Sequence, residues 1–440
     1  MFSESMDTEI MALGDAKIPT SYYDQMLDKC IREFVNEEEK IVVDVYSNKL
    51  ADIFKNGGEP CALEQAGPRK TIYFDPSKLR CALVTCGGLC PGLNDIIRSI
   101  VLELFHGYKV KNIYGIKYGL QGFIPKYGHE IMELAPSSVE HILDTGGTIL
   151  GSSRGPQDIE EIVDSLERMN IGILFMIGGD GTLMAASRIA DSITARGLKT
   201  SIIGVPKTID NDIFMVSKSF GFDTAVDVAT ISIKGAHNEA QAYPNGIGLI
   251  KLMGRHSGFI AATATLAQQD VNFTLVPEID FDMEGPNGLL NKLQIRLESR
   301  KHAVIVVAEG AGQKFFKSDT DKYDESGNIR LNDIGMFLKK EITAYFNEKE
   351  IPISLKYIDP SYMIRSLSAN ANDSVFCGFL GRNAVHAGMA GKTKLIISHW
   401  NNHFVHVPLK LSVGKRKQIA PNGRLWRNIL EATGQSSLIN

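Results

Sequence analysis

The sequence predicts an α/β protein built on mostly parallel sheets that are covered by helices on both faces. Three observations carry this. Short runs rich in Val, Ile and Leu recur from Leu79 onward. Helix-length amphipathic stretches separate them, and continuous apolar strands between helices mark a sheet buried on both sides. The glycine-rich and polar motifs sit directly after the apolar runs, at the strand ends where open α/β sheets place their ligands.

In chain order, residues 1–79 read as an extension packed on a core. They hold one charged helix candidate, Tyr23–Glu39, and the turn-forming stretches Gly57-Gly58-Glu59-Pro60 and Gly67-Pro68. Cys81–Thr85 is the first core strand. It runs through GGLCPGLN into a helix over Asp95–Phe105, whose Ile96, Ile97, Ile100, Val101 and Leu104 share one face. Ile171–Ile177 precedes GGDGT and a helix from about Leu183 to Ala195. Ser201–Val205 leads into PKTIDND. Ile247–Met253, Phe273–Val276 and Ala303–Ala308 complete the expected strands.

Composition sets the bounds. The chain has 440 residues, 44% hydrophobic and 22% charged, with a net charge of −4. That suits two or three globular domains and excludes a disordered or collagen-like chain. It lacks the basic balance of a nucleic-acid binder. Six cysteines form no CxxC and read as reduced thiols of a cytoplasmic protein; Cys86 and Cys90 flank glycines in a turn rather than a zinc site. No basic and apolar leader opens the chain, and no apolar run is long enough to span a membrane.

In Gly178-Gly179-Asp180-Gly181-Thr182, glycines let backbone approach an anion and a helix N-terminus favours negative charge. Asp180 would repel phosphate unless a cation intervenes, and Mg²⁺ takes both carboxylate and phosphate oxygens. The alternative is an ordinary strand-to-helix turn capped by Asp. In Pro206-Lys207-Thr208-Ile209-Asp210-Asn211-Asp212, an inward Ile209 would aim Thr208 and Asp210 to one side. A carboxylate there can act as a general base, with Lys207 and Thr208 holding a phosphoryl group. Arg154 of GSSRG and Arg255 of MGR suit phosphate contacts, and Glu309 suits sugar hydroxyls. There is no GxxxxGK[ST] and no GxGxxG, so neither a Walker site nor a dinucleotide fingerprint is present.

GGxxPGxN, GGTxLGSSR, IGGDGT, PKTIDND and MGR together, in this order from about Cys81 to Lys392, resemble the phosphofructokinase family. The resemblance implies two Rossmann-like lobes with a cleft between them, and transfer of a phosphoryl group from Mg-ATP to the 1-hydroxyl of fructose 6-phosphate. By resemblance, Asp210 is the base, and Thr208, Arg255 and Lys207 surround the transferred group. Met253, Gly254 and Arg255, with Ile209 and Glu309, line the sugar site. Gly88, Arg154, Gly155, Gly179, Asp180, Gly181 and Thr182 form the nucleotide phosphate site, with Asp180 holding Mg²⁺.

Tyr362-Met363-Ile364-Arg365 stands where short bacterial members carry a His-x-x-Arg that grips the sugar 6-phosphate. Its setting, YIDPSYMIRS, is similar to the longer-chain group, which includes pyrophosphate-dependent enzymes and the ATP-dependent ones of trypanosomatids and plants. Gly246 and Lys356 replace two arginines that bacterial members lend across subunits. Leu102, four residues after Arg98, replaces an effector-site arginine, so regulation of the bacterial kind is not expected even though the family is allosteric. Gly181 stands where many pyrophosphate users carry an Asp that repels a nucleotide α-phosphate, which favours ATP over pyrophosphate. Lys207 is shared with pyrophosphate users. A non-catalytic regulatory paralogue would be expected to have lost Asp180, Asp210 or Arg255, and an NAD kinase would leave the sugar motifs unexplained. The expected domains are an extension 1–79, a nucleotide lobe 80–221 with about 366–420, and a sugar-phosphate lobe 222–365 with about 421–440. A homotetramer, or a homodimer, is expected by analogy. The small residues of Gly378–Gly391 predict tight helix packing.

Overall fold

The structure, a computed structural model, describes residues 6–20, 34–316 and 330–440. The expected helix Tyr23–Glu39 falls partly on 21–33, outside the described residues; 34–39 form a turn rather than a helix. The chain divides into two compact units. The first takes in the described residues of Met1–Thr208, Ile213–Gly221 and Leu367–Lys415. The second comprises Ile209–Asp212, Phe222–Ser366 and Arg416–Asn440, less the residues outside the description.

A nine-stranded sheet organises the first unit. Its centre is parallel, in the order Leu395–Trp400, Ser201–Pro206, Ile173–Gly178, Arg80–Thr85, Asn112–Ile116. Cys81–Val84 and Ile173–Ile177 are completely buried, as doubly covered strands must be. Antiparallel strands flank this centre: Ile131–Glu133 on one side, and His403–Pro408, Ala62–Gln65 and Lys40–Val42 on the other. Helix Ala371–Met389 lies close because its glycines permit it. A Cβ on Gly381 would stand 2.7 Å from the Ser99 side chain, and one on Gly388 2.9 Å from Ile173. Asp95–Phe105 resolves into helix Leu93–Leu102 followed by a π-turn over Glu103–Gly107.

In the second unit, a four-stranded parallel sheet runs Phe273–Leu275, His302–Ala308, Gly246–Leu252, Ser354–Ile358. Strand periodicity divides its core in two. Ile250, Leu252, Val304 and Val306 face helix Phe222–Ala242 and the small residues of Phe259–Ala267. Ile247, Leu249, Ile305 and Val307 face Leu289–Arg300 and Ile334–Glu348.

Two boundaries depart from those expected. Ile209–Asp212 belongs with the second unit, because Ile209 packs on that unit's core. The chain also crosses over at Lys415–Arg416, a few residues early, because Ile419 is buried in the same core. Among the described residues no helix is long and apolar enough to cross a membrane.

The segment before residue 80 is more than an overlay, since it supplies two strands of the large sheet. Glu64 fastens it. Its Oε1 accepts from Arg69 Nη2 at 3.1 Å and lies 2.9 Å from His406 Nδ1, while Oε2 is 3.3 Å from Lys392 Nζ. Burial would raise the carboxyl, but the His406 hydrogen bond and the cations outweigh it and hold Glu64 at about 2. Burial lowers His406, which therefore donates Nδ1–H as a neutral imidazole. Because the folded value lies below the unfolded one, this stabilisation is full above ordinary carboxylate pH and is lost as pH falls through about 2. Glu64→Gln should lower the free energy of unfolding at neutral pH by about 2 kcal/mol, leaving Arg69 and Lys392 to the more exposed carboxylate of Glu37. Denaturant melts of both proteins check this, and an unchanged midpoint would refute it.

Candidate active site

In the first unit, three neighbouring parallel strands end side by side, and their loops interlock. Cys86 N–H donates to Ile177 O at 2.9 Å, and Lys207 N–H donates to Gly178 O at 2.9 Å. Gly87 needs its positive φ of 83° to turn the chain; its N–H donates to Ser153 O at 3.1 Å, and its carbonyl accepts from Ser152 Oγ at 2.6 Å. The buried Lys207 reaches across to donate Nζ–H to Gly88 O at 2.6 Å. The Arg154 guanidinium lies 3.6 Å from where a Gly88 Cβ would stand, in ordinary contact with that loop. Gly155 follows with a φ of 88°.

Asp180 is the first residue of helix Asp180–Ala195, with Gly179 as its N-cap. Thr182 folds back over Gly178, where a Cβ would lie 2.2 Å from Thr182 Oγ1. The exposed Gly181 faces open space, with no atom within 4 Å of a Cβ built on it. The expected nucleotide-phosphate residues Gly88, Arg154, Gly155, Gly179, Asp180, Gly181 and Thr182 thus lie with Lys207 at one set of strand ends. Thr208 belongs to this unit too, its carbonyl accepting from Ser219 Oγ at 2.6 Å.

The other set belongs to the second unit. Asn211 takes a left-handed φ of 54°, which Asn tolerates, and so reverses the chain between two aspartates. Asp210 as a residue is half-buried, but its Oδ1 is sealed from solvent and has no hydrogen-bond donor among the described residues. Its carboxylate accepts the backbone N–H of Arg255. Burial, then the negative charges of Asp212 and Glu309, push Asp210 up to about 7 against the Arg255 hydrogen bond and the Arg365 charge.

The Met253-Gly254-Arg255 turn abuts the Glu309-Gly310 turn because their strands are neighbours. Glu309 N–H donates to Leu252 O at 2.9 Å and Gly310 N–H to Gly254 O at 3.0 Å. Gly254 has a φ of 133°, and a Cβ on Gly310 would stand 2.0 Å from Arg255 O, so both must be glycine. Burial raises Glu309 against the opposing charges of Arg365, Arg255 and Lys251.

Within Tyr362–Arg365 the residues divide. Tyr362 and Met363 are exposed, while Arg365 donates Nε–H to Met253 Sδ at 3.3 Å and lies over the Tyr362 ring. Ile364 corrects the expectation that it lines a ligand site: it is completely buried in the core, and its side chain packs. Met253 is buried too, its sulfur accepting from Arg365. The Pro206–Asp212 stretch runs through both sets, with Lys207 and Thr208 in the first unit and Ile209–Asp212 in the second.

No sequence motif marks two ion-paired cations here. Arg416 Nη1 lies 2.8 Å from Asp212 Oδ2. Lys251 Nζ lies 3.1 Å from Asp333 Oδ2 and 3.0 Å from Asp359 Oδ2. Arg416 stands outside every motif, and Lys251 sits inside a strand, so only folding brings them to these partners.

Comparison with known proteins gives the family. The family described as Phosphofructokinase matches residues 80–388. The chain is 52% identical over 440 residues to an ATP-dependent 6-phosphofructokinase of Borreliella burgdorferi, covering 98% of each chain. It is 45% identical over 377 residues to an ATP-dependent 6-phosphofructokinase of Trypanosoma cruzi, covering 85% of this chain and 77% of that one. In fold it is similar to a pyrophosphate-dependent phosphofructokinase from Marinobacter aquaeolei, with a TM-score of 0.67 at 19% identity over 82% of this chain and 92% of that one. The chain belongs to the phosphofructokinase family. Within it, the chain is similar to longer members, including a trypanosomatid one.

Proposed function

We propose that the protein is an ATP-dependent 6-phosphofructokinase, moving the γ-phosphoryl group of ATP to the 1-hydroxyl of fructose 6-phosphate and releasing fructose 1,6-bisphosphate, ADP and a proton. The observation that carries this reading is Asp210, whose sealed carboxylate carries a pKa raised to about 7. Burial and neighbouring negative charge make it a better proton acceptor than a solvated aspartate, as a general base working near neutrality needs. Asp210 takes the hydroxyl proton as the oxygen attacks phosphorus. Arg255 and Lys207 stabilise the charge on the transferring group, with Thr208 beside it, because phosphoryl transfer depends mainly on position and charge. Glu309 and the Met253-Gly254 backbone hold the sugar, and Arg365 with Tyr362 holds its 6-phosphate. The first unit is then the nucleotide lobe and the second the sugar lobe.

The residues present fit Mg²⁺. Asp180 offers hard carboxylate oxygens at a helix N-terminus, and among the described residues no cluster of three or more His, Cys, Asp or Glu forms an all-protein cage. That suits an ion held by one carboxylate together with phosphate and water oxygens. When bound, Mg²⁺ neutralises polyphosphate charge. We place the enzyme in the cytoplasm, in glycolysis, as a homotetramer.

Gly181 supports ATP over pyrophosphate, since the space at its Cβ is open to a nucleotide phosphate. Purified protein with fructose 6-phosphate and Mg²⁺ should turn over ATP and not pyrophosphate; the reverse preference would reject the donor assignment. Gly181→Asp should lower kcat/KM for ATP at least about ten-fold by like-charge repulsion. Its melting temperature should not fall, because an acid in a first helical turn is tolerated. Undiminished ATP turnover would refute the steric and electrostatic argument.

A further inference from the structure

The second unit holds a segment that the proposed chemistry leaves unexplained. Directly after the crossover at Lys415–Arg416, four consecutive residues are fixed to the loops that carry the site. The Arg416 guanidinium meets Asp212, and Lys417 N–H donates to Asp212 O at 2.7 Å. Gln418 Nε2 donates to His256 O at 3.2 Å, beside Arg255. Ile419 N–H donates to Glu278 Oε1 at 2.9 Å, and the same carboxylate caps Gly258 at 3.0 Å. Ile419 itself is 3% exposed in the core. A strap joined at each residue, with a buried anchor, holds Arg416 in place before substrate arrives.

The Asp212 side chain is only 4% exposed, whereas the Arg416 side chain is 35% exposed. A buried carboxylate two residues from the base repels the base's anion unless a cation lies against it. We propose that Arg416 is a positioning residue of the phosphoryl-transfer site, its guanidinium neutralising and orienting Asp212 so that Asp210 alone is presented as proton acceptor. This rests on the phosphofructokinase reading and adds a residue from outside its motifs.

Asp210 faces Asp212 and Glu309 as anions and Arg365 as a cation, with the Arg255 backbone N–H on its carboxylate. Asp212 also acts on His256, Glu278 and Lys417, and burial holds Lys417 down to about 8 despite that pull. Removing the Arg416 charge takes away the guanidinium 2.8 Å from Asp212 and makes the field at Asp210 more negative. Asp210 then ionises less readily, and the acid limb of activity moves to higher pH.

The test is the pH profile of kcat/KM for fructose 6-phosphate at saturating ATP, on the full-length protein. Wild-type turnover comes first, and its absence would reject the functional reading without bearing on Arg416. In an active enzyme, Arg416→Gln should move the acid limb upward by about half to one pH unit, lowering kcat/KM more below that limb than above it. Arg416→Lys should return the limb close to its wild-type position. If Arg416→Gln fails to fold, Arg416→Ala with added guanidinium ion, followed by circular dichroism and activity together, replaces it; restored activity with a restored limb supports the proposal. Loss that is equal at every pH, or equal in the Gln and Lys variants, would assign Arg416 a structural role and overturn it.

Discussion

A proton acceptor working near neutral pH cannot be an ordinary solvated carboxylate. Asp210, the proposed base, escapes that limit by burial beside two other acids. Keeping such a cluster in a folded protein demands cations and hydrogen bonds from several directions. Much of the second unit's polar architecture follows from this demand. The MGR turn supplies a backbone N–H, the short helix Ser361–Arg365 supplies a guanidinium, and the segment after residue 415 supplies another. The obligatory glycines at 254 and 310 then read as consequences, since the turns that bring these groups in must nearly touch.

The first unit solves the opposite problem. As the proposed nucleotide lobe it would receive a highly charged ligand, and it presents glycine backbone at the ends of parallel strands. Gly87 and Gly155 bend where side chains would be strained, and Gly181 leaves its space clear. Lys207 does not project as a loose cation; it is buried and tied to Gly88 O. That links the loop after strand Ser201–Pro206 to the loop after strand Arg80–Thr85.

The core strands were legible because a doubly covered parallel strand leaves an unbroken apolar run, and each one proposed is found within a residue or two. The glycine-rich strand-end loops were legible because clustered glycines directly after an apolar run mark a turn. Three things were not. Lys40–Val42 and Ala62–Gln65 are too short and polar to show strand periodicity, and only their pairing with the sheet edge makes them strands. Ile364 stood in a motif beside exposed residues, but helical geometry turns it inward to the core. Arg416 lies 204 residues from Asp212, and no local pattern announces an ion pair at that separation.

Replacing Asp210 by Ser, and measuring fructose 6-phosphate binding and single-turnover phosphoryl transfer on the same preparation, tests the role of that carboxylate most directly. The account predicts a Kd within a few-fold of wild type and a transfer rate lower by roughly 10²–10⁴-fold. Transfer at a near-normal rate would contradict it.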